Sequence, residues 1–429
     1  MIVFAVVLLF ILIVLGMYIG PVLALLGVAL EHFYSDFPLI SAVGDIGWNA
    51  SIDFILVAVP LFVLMGEILL RSGVTDRMYQ AIDPWVSWLP GRLMHTNIGS
   101  AALFAATTGS SIATAAAIST VSLPNMERQK YNPQLFLGTL AAGGTLGILI
   151  PPSINMVVYA MLANASLGAL YLAAIIPSVL LVGMFSLVVI AACLIRPEWG
   201  GIARPASAVA HLLMQFAYLL PPLILLCVVI APIYFGWATP TEAAALGVLA
   251  ALGLGVANRR MGWRELRTAL ENTARTTCMV MLIVLAALFL NFIMVAVGLT
   301  DAITNGLLGL GLPPFFLLLS IIAFYFVLGC VMETLSMMIA TTPIIVPVIV
   351  ELGYSEIWWG IVFVILMEAA LITPPIGLNL LVVQAARKSG RFAEVAVGAI
   401  PFVIAMIALI GFLIAFPELA LWLPGIMAK

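Results

Sequence analysis

The sequence predicts an all-α integral membrane protein, built as an inverted repeat with two re-entrant helical hairpins and two helices broken at Pro-Pro. Three observations predict it. Of 429 residues, 64% are hydrophobic and only 8% charged, and the apolar runs are too long and too many for a water-soluble globule. Two apolar stretches, 97–123 and 314–350, are interrupted near their middles by small or polar residues. The motifs around those interruptions recur at nearly constant spacing.

Taken in order, the apolar segments near 1–30, 54–71, 134–163, 171–195, 213–235, 241–257, 270–298, 357–386 and 395–416 are candidate spans. A hydrocarbon core of roughly 30 Å takes about 20 helical residues, so the first segment is long enough to tilt or to break at Gly20-Pro21. The opening MIVFAVVLLFILIVLGMYIG lacks a basic n-region and a small-residue cleavage site, which favours a retained span over a signal peptide. Cys193, Cys227, Cys278 and Cys330 stand singly inside apolar runs, as packing residues rather than disulfide or zinc partners.

Lys and Arg in the loops set the orientation. Arg71, Arg77, Arg92, Arg128, Lys130, Arg196, Arg204, Arg259, Arg260, Arg264, Arg267, Arg387, Lys388 and Arg391 fall on one side, expected to be cytoplasmic, if the nine spans hold. Glu31, Asp36, Asp45, Asp53, Asp301, Glu351, Glu356 and Glu418 fall on the other, with Lys429 alone among bases. The N-terminus is then cytoplasmic and the C-terminus periplasmic. The basic residues make short clusters between spans and no solvated basic face, so no nucleic-acid partner is expected. Arg92 before 97–123, with Arg128 and Lys130 after it, puts both ends of that stretch on the cytoplasmic side; Asp301, Glu351 and Glu356 put both ends of 314–350 on the opposite side. Each stretch must enter and return, and such tips are tolerated at membrane depth only where protein or a watery cavity satisfies their backbone.

An internal repeat supports two opposed hairpins. Gly109 and Thr114 bracket the first tip as Gly329 and Thr334 bracket the second, 220 positions apart; Tyr131 and Tyr354, like Pro151-Pro152 and Pro374-Pro375, are 223 apart. Five spans lie between the hairpins, an odd number, so the halves have opposite topology. Each proline removes a backbone donor, which frees carbonyls near 147–150 and 370–373 and breaks the helix at mid-membrane. Those carbonyls, with Ser153 and Asn155 or Thr373 and Asn379, form the hard neutral oxygen set that suits sodium, while half-helix N-termini suit a carboxylate. The run TGSSIATAAA completes the first site from the hairpin tip: Gly109 permits the turn, Ala113 and Ala115–Ala117 permit close approach, and Ser110, Ser111 and Thr114 supply hydroxyls. Gly147, Pro151 and Ser153 would hold sodium with Ser110 and Ser111; in the second half Glu333, Thr373 and Pro374 would do so. Substrate contacts are expected from Ser110, Ser111, Thr114, Ser153, Asn155 and Asn379. Small and hydroxyl residues also serve plain helix packing, and it is the coincidence of two tips, two Pro-Pro breaks and one spacing that favours a site.

Acids within apolar stretches need separate weighing. Glu333 in the second tip and Glu368, five residues before Thr373, suit either a cation or proton or a structural hydrogen bond. Glu67 and Glu242 lie near helix ends and are expected to be solvated, and Glu271 with Arg275 is spaced as an i,i+4 pair. An enzyme is disfavoured, because His32, His95 and His211 are far apart in sequence with no nucleophile beside them; no lysine follows a glycine, so no Walker A motif is present. A channel would also use paired tips.

The runs TTGSSIATAAAISTVSLPNM, LGILIPPSINMVVYA, GWATPTEAAALG and ALITPPIGLNLLV together resemble the large membrane (DctM-like) subunit of TRAP, tripartite ATP-independent periplasmic, transporters, over nearly the whole chain. The resemblance implies an elevator-type secondary transporter of the bacterial inner membrane that couples sodium (Na+) to import of an organic acid of the C4-dicarboxylate kind. It implies two partners in the bilayer and beyond it: a small four-helix membrane subunit and a periplasmic substrate-binding protein. By resemblance Ser110, Ser111 and Ser153 belong to the first sodium site, and Gly329, Thr334, Thr373 and Gly377 to the second. The expected organisation is a scaffold over 1–95, a transport half over 96–195, further scaffold over 196–312 and a second transport half over 313–429. A sodium- or proton-coupled organic anion carrier working without a binding protein is the alternative.

Overall fold

The computed structural model describes residues 1–202, 209–309, 311–330 and 332–427. Arg204, Val331 and Lys429, and the side chain of His211, lie outside what is described. In chain order the helices are α1 (Ile2–Val14), α2 (Ile19–Tyr34), α3 (Val43–Ser51), α4 (Phe54–Arg71), α5 (Val74–Val86), α6 (Leu93–Thr108), α7 (Ser111–Arg128), α8 (Pro133–Leu149), α9 (Ile154–Ala163) and α10 (Leu167–Ile195). They continue with α11 (Val209–Tyr234), α12 (Pro240–Ala257), α13 (Trp263–Ala296), α14 (Leu299–Leu308), α15 (Pro314–Gly329), α16 (Thr334–Glu351), α17 (Glu356–Leu371), α18 (Leu378–Arg387), α19 (Phe392–Ala415) and α20 (Glu418–Met427). Among the described residues seven helices are long and apolar enough to cross a membrane, or eight when α8 and α9 count as one bent span. The protein is a multi-pass, all-helical membrane protein.

Helix starts follow local chemistry. Asp53 caps α4 through the Ile55 N–H at 2.8 Å, Asn132 caps α8 through Leu135 at 3.0 Å with Pro133 in the first turn, and Ser355 caps α17 through Ile357 at 3.1 Å. Thr239 and Glu242 form a reciprocal capping box on α12. The 34 residues of α13 make a rod of about 51 Å, longer than the hydrocarbon core, and its polar N-terminal turns carry Arg267 paired with Glu271 at 2.8 Å. Glu271 therefore pairs one turn back rather than with Arg275. Glu67 is also not simply solvated: it pairs with Arg71 and accepts from Asn272 at 3.1 Å, tying α4 to α13. Of the cysteines only Cys193 is buried; Cys227 and Cys278 are exposed, not packing residues.

The first apolar segment is not one span. Phe4 meets Phe33 and Tyr34 edge-on at 5.3 and 5.6 Å between centroids, so α1 and α2 run antiparallel, and the turn falls at Leu15–Tyr18 with Gly16 at φ +73°. Gly20 and Pro21 instead lie in the first turn of α2, where a proline has no intrahelical N–H partner to lose. The start of α1 and the end of α2 thus share one side.

Two stretches of similar plan follow. In each, a helix pair (α6–α7, α15–α16) precedes a helix interrupted at a cis Pro-Pro bond (α8–α9, α17–α18) and then a long helix (α10, α19). The first interruption bends the axis by 43°. α7 and α16 start 223 positions apart, at Ser111 and Thr334, as α8 and α17 do, so the helical register pairs Thr334 with Ser111 and not with Thr114. The connection at the second tip is two residues longer.

The first pair is closed at its base by a buried network. Asn97 of α6 accepts from Tyr79 of α5 at 2.9 Å and from Ser122 of α7 at 2.5 Å, and donates to Thr139 of α8 at 2.9 Å. Four helices thus meet on one amide, which is fully buried. Where α8 crosses α19, Gly138 and Gly398 let the backbones touch: a Cβ on Gly138 would overlap the Gly398 carbonyl, and one on Gly398 the Gln134 carbonyl. Replacing Asn97 by Leu removes three hydrogen bonds from this buried network, although Tyr79 and Ser122 keep each other at 3.0 Å and Thr139 keeps the Phe136 carbonyl at 2.6 Å, at about 1 kcal/mol for each bond lost. A lowered thermal midpoint in detergent is expected, with a smaller loss for Tyr79→Phe.

Candidate functional site

At the first tip α6 ends on Gly109, whose φ of +61° lets the chain turn without a Cβ penalty, and Ser110 caps α7 by accepting from the Ala113 N–H at 3.4 Å. The tip is held backbone to backbone against the first helix break. A Cβ on Gly109 would stand 2.6 Å from the Pro152 carbonyl oxygen, one on Gly147 would stand 2.5 Å from the Ser110 carbonyl, and one on Gly144 would stand 2.6 Å from the Ala115 Cβ. Gly66 of α4 closes on the same tip, where a Cβ would lie 3.0 Å from the Thr108 carbonyl oxygen. The Gly147 and Ile148 carbonyls would ordinarily accept from the N–H groups four residues on, but those residues are Pro151 and Pro152, which have none. Ser153 then caps α9 through the Met156 N–H at 3.5 Å.

The second half has the same plan in different chemistry. α15 ends at Gly329, where a Cβ would stand 2.5 Å from the Ala370 Cβ of α17. Glu333 caps α16 with both oxygens, accepting from Leu335 N–H at 3.0 Å, Ser336 N–H at 2.8 Å, the Ser336 hydroxyl at 3.0 Å and the Thr334 hydroxyl at 3.2 Å. The carboxylate lies at the positive end of the α16 dipole. Thr373 returns its hydroxyl to the Ala369 carbonyl at 2.7 Å, and Gly377, at φ +48°, opens α18. Glu333, Thr334, Ala370, Ile376 and Gly377 line a cavity of about 230 Å³, below the roughly 300–1,000 Å³ of sites for drug-sized ligands. The two breaks differ in access: Pro151–Ser153 is buried, whereas Pro374–Ile376 is exposed.

The first turn of α18 joins the halves. Asn379 donates to the Ala141 carbonyl of α8 at 3.4 Å, and a Cβ on Gly144 would lie 3.1 Å from its amide nitrogen. Gly377, two residues earlier, lines the second cavity. Candidates from both halves therefore stand around one helical turn. Three of the sequence candidates are buried with a polar atom that has no hydrogen-bond partner: Ser111 Oγ, Asn155 Nδ2 and Asn379 Oδ1. A buried group left so costs about 1–3 kcal/mol, a cost that a partner at these atoms would relieve. The two oxygens and the nearby donor-poor carbonyls are neutral and hard, and the amide N–H suits an anion. Among the described residues no three His, Cys, Asp or Glu side chains cluster as metal ligands.

Two candidates have local duties. Thr114 faces the tip interior, donating to the Ser110 carbonyl at 2.7 Å and lying 3.3 Å from the Thr108 hydroxyl, so it locks the turn rather than presenting its hydroxyl to a ligand. Glu333 has its oxygens engaged as a cap. Sequence reasoning missed Gly144 and Ala370, the small residues on which the tips sit; the signal for the first was Gly144 one helical turn before Gly147.

The family described as "Tripartite ATP-independent periplasmic transporter, DctM component" matches residues 6–419. The C4-dicarboxylate TRAP transporter large permease protein DctM of Pseudomonas aeruginosa is 33% identical over 380 residues, 88% of each chain. The sialic acid TRAP transporter large permease protein SiaM of Vibrio cholerae is 30% identical, covering 87% of this chain and 86% of its own. Among solved structures the Alcanivorax borkumensis YdaH transporter shares the fold, with a TM-score of 0.65 at 14% identity over 89% of both chains.

Gly147→Ala should push the first tip off α8 by overpacking, at about 1–3 kcal/mol, whereas Gly183→Ala, on α10 with nothing within 4 Å, should be silent. Thermal midpoints of the two variants check this.

Proposed function

The chain belongs to the DctM component family of tripartite ATP-independent periplasmic transporters, and from that premise we propose that it is a sodium-coupled importer of a small organic acid working by an elevator mechanism. The observation that carries the reading is the meeting of two capped tips with two Pro-Pro breaks around the first turn of α18. Sodium is cargo here: Ser111, with the carbonyls of Gly147 and Ile148, would hold one ion, and Thr373 with the second break another. Asn155 and the N-termini of α7, α9 and α18 would receive the carboxylate. A bare carboxylate is costly to move through hydrocarbon; sodium beside it offsets the charge and favours the ordered tips, which couples the two.

The relatives named above handle C4-dicarboxylate and sialic acid, both carboxylates, and the small second cavity suits a compact acid. The same family implies a small membrane subunit and a periplasmic binding protein as partners. The tips and broken helices would move together as two transport halves, 96–195 and 313–429, against the scaffold of 1–95 and 196–312, with the tips re-entering from opposite faces. One half-site open and the other closed suits a carrier with access from one side. Loop charges favour a cytoplasmic 387–391 connection and a periplasmic C-terminus; with α1 folded back on α2, the N-terminus would lie on the same side as the acidic 31–53 loop, in place of the cytoplasmic position expected for a single first span.

Reconstituted with the two partner chains, the protein should take up a labelled C4-dicarboxylate under an inward sodium gradient. Ser111→Ala should raise the sodium concentration needed for half-maximal uptake by about tenfold or more, some 1.4 kcal/mol. Unchanged sodium dependence in that variant would sink the site assignment, and equal uptake without the binding protein would favour the stand-alone carrier.

A further inference from the structure

Several arginines are answered within the chain. Arg71 pairs with Glu67, Arg267 with Glu271 and Arg387 with Glu394; Arg92 donates to the Gly200 and Gly201 carbonyls, and Arg196 lies over the Trp199 ring. One corner departs from this. There the α4–α5 turn meets the α12–α13 turn: Asn258 accepts from the Arg77 guanidinium at 2.5 Å and donates to the Ser72 carbonyl at 3.3 Å. Arg259, Arg260 and Arg264 follow, all exposed, and none has a hydrogen bond or ion pair among the described residues. The stem of Arg260 is placed nonetheless, because a Cβ on Gly73 would stand 3.5 Å from its Cγ and 3.6 Å from its Nε. Glu265, the nearest acid along the chain, is spent on the Gly262 N–H at 3.1 Å. Neighbouring guanidiniums of like charge repel, and a bound anion would relieve that repulsion.

The surroundings select the anion. Trp263, three residues past Arg260, is 78% exposed, and exposed tryptophans of membrane helices gather at headgroup level. Along α12, Val256, Gly253, Leu249 and Leu246 are exposed at three- and four-residue spacing, an outward apolar strip of about 15 Å that ends at the arginines. A Cβ on Gly253 would meet nothing within 4 Å, so the middle of the strip is open. Cations at one end and a hydrocarbon bed leading from them complement a phospholipid, phosphate and acyl chains together. Guanidinium forks match phosphate oxygens two at a time. Loop arginines orient a chain in the membrane wherever they stand; here two turns 181 residues apart bring them to the foot of one apolar strip.

We propose that the corner formed by Arg77, Arg259, Arg260 and Arg264 binds the phosphate of an anionic phospholipid, whose acyl chains lie along the outward face of α12. In native mass spectrometry of the full chain released from detergent, phosphatidylglycerol should be preferred to phosphatidylcholine by about tenfold. The triple variant Arg259→Gln/Arg260→Gln/Arg264→Gln should bring the two lipids to parity. Arg128→Gln/Lys130→Gln, which removes two exposed cations at the base of the first hairpin, should keep the preference. In detergent the wild-type thermal midpoint should rise with phosphatidylglycerol and not with phosphatidylcholine, and the triple variant, melting cooperatively without lipid, should not respond. Parity in the wild type, a preference that survives in the triple variant, or an equal loss in Arg128→Gln/Lys130→Gln overturns the proposal. So does its loss in millimolar inorganic phosphate, which would make this a site for the free ion, or its loss once the small membrane subunit is bound, which would give the strip to that protein. None of these readouts uses sodium or substrate, so they stand apart from the transport reading.

Discussion

Inside a bilayer there is no water to satisfy a free N–H or C=O, and every interruption of a helix must be answered by protein or by a ligand. The four interruptions in this chain persist because they face one another. The first tip covers the first break, the second tip faces the second, and the first turn of α18 lies against α8. Removing side chains at Gly109, Gly144 and Gly147 is what lets main chain approach main chain there. The same closeness concentrates donor-poor carbonyls and helix N-termini in one small region.

The two halves solve this problem with different residues. Ser110 caps α7 with a neutral hydroxyl, whereas Glu333 caps α16 with a carboxylate that gathers four donors. The negative charge is matched to the α16 N-terminus, but it also makes the second half-site the more favourable for a cation and the less favourable for an anion. The first break is buried while the second opens on a cavity. Architecture is repeated, and electrostatics are not.

Much of this was legible beforehand. Pro-Pro in an apolar run has one physical consequence, a broken helix, and both breaks lie where the prolines put them. Ser111, Asn155 and Asn379, named from residue type, are among the residues with buried unpartnered atoms, in company with others such as Ser100 and Ser119 that residue type did not single out. Other features depended on neighbours that no local rule supplies. Residues 1–30 have the apolar length of a span, yet Phe4 finds Phe33 and Tyr34 and the segment folds back. Thr114 matches Thr334 by motif, but the longer second connection shifts the helical register. Glu271 has an arginine one turn away in either direction, and Arg267 takes it.

The sequence by itself determined the medium, the helical class, the two broken helices and the family, because composition and proline chemistry act within a few residues. Which polar atoms are left without partners, which hydroxyls are spent on closing a turn, and which arginines no carboxylate answers were decided only by tertiary structure. Hydrogen-bond satisfaction is a property of contacts between segments hundreds of residues apart, as Asn379 on Ala141 shows.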